Sequence, residues 1–227
     1  MLTATKRTTQ SGFTLVEIAI VLVIIGLLLG GVLKGQEMIT NAKIKNVIND
    51  LNGVSAAYQT YIDRYKAIPG DDAAASTRFS GAVNGGGNGQ IAGLYTAIAA
   101  PAVAAESNNF WQHLRMAGLV NGAATATVAN PGINAVGGML GVQSQVTAAG
   151  GSTYGLSGPV VCVGSVPWKI TQAIDIQLDD GNSDTGNVRT GAAGAANLAT
   201  AAAVSGAYGP AVAAPATEGI HTLCMAL

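Results

Sequence analysis

The chain has 227 residues, a net charge of −1 and a charged share of only 10%, against about 25% in ordinary soluble domains. Beyond Gly81 the only basic residues are Arg115, Lys169 and Arg189, which excludes the clustered lysine and arginine that nucleic acid binding requires. The two histidines form no nucleophile–base arrangement and no cofactor motif occurs, so we expect the chain not to be an enzyme and to hold no organic cofactor.

A polar leader precedes a long apolar run at the N-terminus. Residues 1–12 contain Lys6 and Arg7 but no acid, and residues 13–33 then form a run of 21 residues with a single charge, Glu17. As a helix this run would be about 31 Å long, which matches the hydrocarbon thickness of a bilayer. We therefore expect residues 13–33 to be transmembrane.

Three interpretations of this junction compete. A secretory signal peptide usually has an apolar core of about 7–15 residues and a small-x-small cleavage site, whereas this run is longer and lacks such a site. An ordinary transmembrane anchor leaves Glu17 unexplained, since a carboxylate at the centre of a spanning helix costs roughly 2.5–3.5 kcal/mol. Cleavage between Gly12 and Phe13 accounts for the carboxylate, because the new α-amine of Phe13 lies on the same helical face as Glu17. The two groups can pair within one helix or between neighbouring helices.

The run Gly12-Phe13-Thr14-Leu15-Val16-Glu17 resembles the prepilin cleavage and methylation motif of type IV pilins and type II secretion pseudopilins. The resemblance implies that a prepilin peptidase/methyltransferase cuts after Gly12 and methylates the amine of Phe13, and that Glu17 is the assembly glutamate. It also implies further partners: copies of the chain itself in a helical homopolymer, the inner-membrane assembly machinery, and membrane lipid before assembly. The expected location is the bacterial inner membrane as a single-pass precursor, then an extracellular pilus or a periplasmic pseudopilus.

An amphipathic stripe follows the apolar run. Its members recur at helical spacing: Ile44, Val47, Ile48, Leu51, Val54, Tyr58, Ile62 and Tyr65. Because Pro69-Gly70 stops a helix, we predict one helix over residues 13–68, apolar all round at first and one-sided later. Four glycines lie inside it, namely Gly26, Gly30, Gly31 and Gly35. At a cost of about 1 kcal/mol each, they indicate either close packing of helices or local unwinding in the fibre.

The remaining residues, 69–227, are predicted to form an Ala- and Gly-rich globular head. We expect residues 71–105 to be loop, with a flexible glycine-rich run at 81–90. Residues 106–120 predict a short helix, capped by Ser107 or Asn108. Its buried face comprises Phe110, Trp111, Leu114 and Ala117. His113 faces away from that stripe, so we expect it at the surface.

Three apolar stretches, residues 135–142, 154–164 and 219–227, predict antiparallel strands. The chain has two cysteines, too few for a structural zinc site, so we expect a Cys162–Cys224 disulfide that fastens the third strand to the second. Residues 170–178 show helical spacing, and the low-complexity run 186–213 predicts a surface loop. The predicted fold class is α+β, with the long N-terminal helix packed on a head that contains a small antiparallel sheet.

One acidic segment carries the chain's candidate metal ligands. Asp179, Asp180, Asn182 and Asp184 place carboxylate and amide oxygens close together, as calcium loops do. The glycine is one position late for an EF-hand and no bidentate glutamate follows, whereas Asp, Asn and Gly also dominate ordinary turns. Both interpretations, a plain turn and a calcium site, stay open.

The predicted function is that of a structural subunit of a type IV pilus, a filament for adhesion, surface motility or uptake. The alternatives are a pseudopilin of a type II secretion system and a minor or tip pilin. The cysteine pair favours a pilin, because it resembles the disulfide-bounded region of pilin heads. A calcium site in the acidic segment would favour a pseudopilin.

Overall fold

The computed structural model describes residues 12, 14–96, 106–123, 132–144, 153–191 and 219–227. It divides the chain into two compact units, Met1–Ala42 and Lys43–Leu227. One long helix, α1, runs over Leu15–Tyr65. It ends before the predicted bound at residue 68, because Lys66 adopts a left-handed backbone with φ of 53°, which a continuing helix does not allow.

The first unit contains the N-terminal part of α1, whose side chains are nearly all exposed. Within the described part of the chain, α1 is the one helix long and apolar enough, by length and composition, to cross a membrane. It continues through the four glycines, and a Cβ added at any of them would meet nothing within 4 Å. Contacts between the described residues of one chain therefore do not require glycine at these positions. Close packing of helices and local unwinding in the fibre both stay predictions.

The second unit contains the C-terminal part of α1 and a sheet of five antiparallel strands. The strands are β1 (Gly132–Ile133), β2 (Met139–Gln143), β3 (Val160–Pro167), β4 (Val188–Thr190) and β5 (Ile220–Ala226). The shorter helices are α2 (Ala75–Arg78), α3 (Glu106–Met116) and α4 (Trp168–Leu178). The strand order is β1-β2-β3-β5-β4, and every neighbouring pair is antiparallel. The α+β class is thus confirmed.

The sheet differs from the prediction at several places. The strand expected over residues 135–142 begins only at Met139, and the unpredicted strand β1 precedes it. The strand expected over residues 154–164 begins at Val160, because Thr153 and Leu156 instead pair with each other across a tight turn. The expected loop over 186–213 was wrong at β4, which pairs with β5 at the sheet edge. The rest of that expected loop, residues 192–213, lies outside the described residues.

The core of the second unit forms around the stripe of α1. Five of the eight predicted stripe residues are buried and the other three are partly buried, and the innermost are Val47 and Leu51 with no exposed surface. They pack in one cluster with Phe110 and Leu114 of α3 and with apolar side chains of β3 and β5. Burying an aliphatic or aromatic side chain of this size contributes about 1.5–3 kcal/mol, so this stripe is what anchors the helix to the head.

Helix α3 begins where it was predicted, but it ends at Met116 rather than at residue 120, because Gly118 adopts a left-handed backbone with φ of 69°. It begins at Glu106, so Ser107 and Asn108 lie inside the helix and the predicted caps were wrong. Phe110, Trp111 and Leu114 are buried, as predicted. Ala117 lies just beyond the helix end and is half-buried.

His113 is fully buried, so the expectation of a surface histidine was wrong. Its Nδ1 accepts a hydrogen bond of 2.9 Å from the backbone N–H of Gly70. Its Nε2 lies 2.8 Å from the carbonyl oxygen of Val83 and therefore donates. His113 is buried because the chain after α1, including Gly70 and Val83, covers the face of α3 opposite its apolar stripe. Helical spacing within α3 does not reveal this cover.

The buried histidine predicts a specific loss of stability on acidification. Burial lowers the pKa of His113, and the bond to Val83 and the charge of Asp72 act in the opposite direction. The unfolded chain has a histidine pKa of about 6.5, so as pH falls below that value the unfolded state binds a proton that the folded state excludes. The free energy of unfolding should therefore fall between about pH 7 and pH 5. Urea unfolding of the full chain in detergent, followed by tryptophan fluorescence, measures this.

The matched variant for this measurement is His113→Gln, which cannot titrate. It should be less stable than the wild type at neutral pH, because it loses the imidazole ring that stacks on Tyr61 with ring centroids 6.1 Å apart. Its stability should change less between the two pH values. Glu106, whose pKa is raised by burial, titrates in both chains, so its contribution cancels in the comparison. An equal pH dependence in the two chains would contradict this role for His113.

The glycine-rich run at 81–90 was expected to be flexible, but hydrogen bonds hold it in place. The buried carboxylates of Asp71 and Glu106 accept four backbone N–H bonds of 2.6–3.0 Å from this segment and its continuation. The donors are Gly86, Asn88, Gly89 and Ala92. Gly85 lies so close to Gly70 that a Cβ would come within 2.3 Å of its carbonyl oxygen. Here glycine permits a close backbone approach.

Candidate processing and assembly site

The start of α1 is closed by a reciprocal pair of side-chain hydrogen bonds. Thr14 is the residue before the first helical turn, and its backbone N–H and hydroxyl donate to Glu17 Oε2 at 2.7 and 2.8 Å. In return, the backbone N–H of Glu17 donates to Thr14 Oγ1 at 3.3 Å. This arrangement is a capping box, which satisfies backbone N–H groups that a helix start leaves without partners. The sequence-based interpretation missed it, although Thr-x-x-Glu is its signal.

Glu17 uses only one of its two carboxylate oxygens in this capping box. Oε1 accepts no hydrogen bond from the residues that the structure describes, and the side chain is exposed. A carboxylate offers about four acceptor positions. Glu17 can therefore hold the helix start and accept a second partner at the same time.

The predicted cleavage site lies directly before this helix start. Gly12 is exposed and outside the helix, and none of the described residues lies within 4 Å of the position of a Cβ there. Phe13 lies outside the described residues, so the pairing of its α-amine with Glu17 stays a prediction. An exposed, non-helical peptide is the form of backbone that a peptidase can bind.

A family model, the prokaryotic N-terminal methylation motif, matches residues 7–33. The chain carries the prepilin-type motif of type IV pilins and pseudopilins. The match covers the end of the leader, Gly12, Phe13, Glu17 and the whole apolar run, and so confirms the resemblance. The motif belongs to structural pilin-type proteins, which are not enzymes. No curated protein and no solved structure matches the chain.

The head of this prepilin-motif protein contains the Cys162–Cys224 disulfide. The two cysteines are directly opposite each other on β3 and β5, and neither has exposed surface. Tyr95, Tyr154 and Leu156 pack around them in a second apolar cluster. The disulfide therefore ties the strand β5 to the centre of the sheet, at a buried position.

The acidic segment forms a turn whose carboxylates bind the chain's own backbone. Asp179 Oδ2 accepts the backbone N–H groups of Asn187 and Val188 at 2.5 and 2.9 Å. Asp180 accepts the hydroxyl of Thr185 and the N–H of Asn182. These two bonds lower the pKa of Asp180. The hydrogen bonds support the interpretation as a turn, and they explain β4, because Asp179 holds its first residues.

The structure groups the predicted calcium ligands differently from the sequence pattern. Carboxylate oxygens of Asp179 and Asp180 lie within 4.8 Å of one another and of Asp175, which was not predicted. Asp184 does not join that group, and Asn182 contributes its backbone N–H to Asp180. Calcium binding at Asp179, Asp180, Asn182 and Asp184 stays the alternative interpretation to a plain turn.

Because Asp179 and Asp180 already accept hydrogen bonds from the turn, we expect calcium at about 1 mM, the range of weak extracellular sites, to leave the unfolding midpoint of the head unchanged. Tryptophan fluorescence of the full chain during thermal unfolding, with calcium and with magnesium as control, measures this. A rise in the midpoint with calcium alone, lost in Asp184→Asn, would instead establish the calcium site.

Proposed function

We propose that the chain is the structural subunit of a type IV pilus, cut between Gly12 and Phe13 and assembled through α1. The observation that carries this proposal is the geometry of Glu17. One carboxylate oxygen closes the helix start and the other is left to accept the α-amine of Phe13, from the same or a neighbouring subunit. The matched motif supports a pilin or pseudopilin, and the choice of a pilin is the finer part of the proposal.

The pairing matters energetically because the residues that follow Glu17 are apolar, so that an unpaired charge at this position is costly. A single carboxylate among apolar residues is costly in a membrane or a filament core, and removing one partner of a buried ion pair costs about 3–5 kcal/mol. A subunit is therefore stable in the filament only in a register where Glu17 meets a cation. Before assembly, the capping box reduces the cost by supplying two donors from Thr14.

The disulfide supports a pilin over a pseudopilin. It fastens β5 to β3, an arrangement that resembles the disulfide-bounded region of pilin heads. Deleting the gene and imaging cells for surface fibres tests this choice. Loss of retractable surface fibres supports the pilin, whereas loss of protein secretion with fibres unchanged supports the pseudopilin of a type II secretion system. Fibres that persist in reduced number support a minor or tip subunit.

Cleavage at the predicted junction is testable by changing Gly12 alone. We expect Gly12→Val to leave a full-length precursor in the inner membrane, because a branched side chain would have to enter the peptidase beside the bond that is cut. Mass spectrometry of the purified chain measures the result. The wild type should begin at a methylated Phe13 and the variant at Met1.

The control for this measurement is Gly12→Ala, which adds a single methyl group and should be cut more completely than the valine variant. If the wild-type protein in native membranes and fibres still began at Met1, the proposed processing, and the assembly that depends on it, would be wrong.

A further inference from the structure

Two acidic side chains, Asp71 and Glu106, are buried beside each other where the chain after α1 meets the start of α3. Asp71 is 4% exposed and Glu106 is 2% exposed, and their carboxyl groups form a hydrogen bond with each other. The backbone around them is closely packed, since a Cβ added at Gly70 would lie 2.6 Å from the carbonyl oxygen of Glu106. The pair therefore joins the first residues after α1 directly to α3.

The contact between the two carboxyl groups requires a proton. An ionised carboxylate only accepts hydrogen bonds, so one group of the pair must be protonated to donate. Burial raises the pKa of Glu106; the N–H groups of Ala92 and Gly86 oppose this effect, whereas the charge of Asp71 and its hydrogen bond reinforce it. Carboxyl groups that share one site are not easily ionised together. The geometry thus fits one proton held between two groups.

The chain offers no cation that replaces this proton. Among the described residues, the ion pairs involve other groups: Lys34 with Glu37, and Arg78 with Asp72. The stretches between residues 96 and 219 that lie outside the described ranges contain no lysine, arginine or histidine. The charge of the pair is therefore reduced by a proton and not by a basic side chain.

The surroundings of the pair also do not favour a metal ion. Calcium and magnesium need several oxygen ligands. The groups that contact the pair from the glycine-rich run and its continuation are instead backbone N–H donors, namely those of Gly86, Asn88, Gly89 and Ala92. Donors of this kind stabilise a carboxylate and repel a cation, which suits a pair with one negative charge.

Other titratable groups lie on the elements packed against the pair. On α1, Tyr61 donates to Asp72 at 2.8 Å, and burial raises the pKa of Tyr61, so it stays a neutral phenol. Although burial acts to raise it, the pKa of Asp72 is lowered by bonds from the backbone of Ala74 and from Arg78 and Tyr61, so Asp72 stays ionised. On α3, burial lowers the pKa of His113. As pH rises from about 5, only His113 changes charge besides the pair.

We infer that Asp71 and Glu106 form a proton-sharing clasp that holds residues 86–92 on the head, and that loss of the shared proton releases this segment. Asp71 accepts the N–H groups of Asn88 and Gly89, whereas Glu106 accepts those of Gly86 and Ala92. When both carboxyl groups are ionised they repel each other, and the segment that is bonded to both can no longer be held by both. The inference does not depend on processing or on filament assembly.

The sign of the pH dependence follows from proton linkage. A pKa that is raised in the folded state contributes stability that is complete below the unfolded glutamate value of about 4.3 and is lost as pH rises through the folded value. Between the two values, opening of the clasp releases one proton, so its opening equilibrium shifts by up to about tenfold per pH unit. His113 acts with the opposite sign, since its contribution is lost on acidification.

The test is amide hydrogen exchange of the full chain in detergent, followed by mass spectrometry of peptides that cover residues 83–92. Protection factors remove the pH dependence of the intrinsic exchange rate and report on local opening. We expect wild-type protection of this segment to fall as pH is raised from about 5 to about 9. Peptides from α4, which lies outside the clasp, should keep their protection.

The matched variant is Glu106→Gln, which has nearly the shape of the protonated side chain and can donate to Asp71 without titrating. Its protection over residues 83–92 should stay constant over the same pH range. Asp71→Asn gives a second chain in which an amide meets the Glu106 carboxylate, and it should also lack the loss, so the test remains if one variant does not fold. Asp63→Asn removes an exposed carboxylate from α1 and should behave as the wild type.

Three results would overturn the inference: constant protection in the wild type, an equal loss in the wild type and Glu106→Gln, or recovery of wild-type protection at high pH when calcium is added at about 1 mM. The last result would show that a cation, and not a proton, joins the carboxyl groups. Because exchange is measured on the unassembled chain, each of these results leaves the proposed function unaffected. A failure of the chain to form fibres would equally leave the clasp unaffected.

Discussion

Glu17→Gln is expected to enter the membrane and be cut, but to assemble few or no fibres. Glutamine has nearly the shape of glutamate and can still accept the Thr14 N–H, so the capping box and the helix start survive. The negative charge is lost, which leaves the α-amine of Phe13 without its partner in an apolar core. At about 3–5 kcal/mol for a broken buried pair, subunit addition should weaken by at least about a hundredfold. Fibres sheared from cells, quantified against total subunit, measure the effect.

The control for this experiment is Thr14→Val, which removes the hydroxyl from the capping box and keeps the carboxylate. It should cost about 1 kcal/mol of helix stability and leave most fibre assembly intact. Glu17→Ala removes both functions and should assemble as poorly as Glu17→Gln, while the head stays folded and the N-terminus is still cut. Normal fibre yield from either Glu17 variant would show that assembly does not depend on charge pairing at Glu17.

Loss of the Cys162–Cys224 disulfide is expected to cause the largest loss of stability in the head. The cysteines are separated by 62 positions, and closing a loop of that size restricts the unfolded chain by about 4 kcal/mol. Cys162→Ala with Cys224→Ala should therefore lower the free energy of unfolding by about that amount, and by somewhat more because the sulfurs pack against Tyr95 and Tyr154. Urea unfolding of the full chain in detergent, followed by Trp111 and Trp168 fluorescence, reports on the head alone.

The reduced wild-type protein distinguishes the stability that comes from the cross-link from the stability that comes from packing of the sulfur atoms. Reduced after unfolding and then refolded, it keeps both sulfur atoms and should lie between the oxidised wild type and the double alanine variant. In the folded state the buried disulfide should resist a thiol reductant that acts readily in urea. Equal unfolding midpoints for oxidised and reduced protein would show that the disulfide does not stabilise the head.

The N-terminal half of the molecule was predictable because its signals are local. The prepilin-type motif is a run of adjacent residues, and the stripe from Ile44 to Tyr65 depends only on helical spacing. The side of α1 that is buried follows from that period. Even there, the capping role of Glu17 was missed, although it depends on a residue only three positions away.

In the head, an element was predictable where the pattern of apolar residues within that element is enough to show which side of it is buried. The strands around Cys162 and Cys224, the helix α4 and the buried face of α3 follow from apolar patterning and spacing. The strand β4 does not, because its pairing with β5 is accompanied by a hydrogen bond from the Val188 N–H to Asp179, nine positions earlier in the chain. A three-residue strand in a sequence of low complexity has no periodic signal of its own.

The sequence by itself predicts where this chain is processed and which part is transmembrane, and it determined which side of α1 faces the core of the head. Only the tertiary structure decided that His113 is buried and that Asp71 and Glu106 hold the glycine-rich run. The physical reason is that periodicity describes one element at a time. Whether a polar face of a helix is covered depends on residues that are distant in the chain and meet it only when the head has folded.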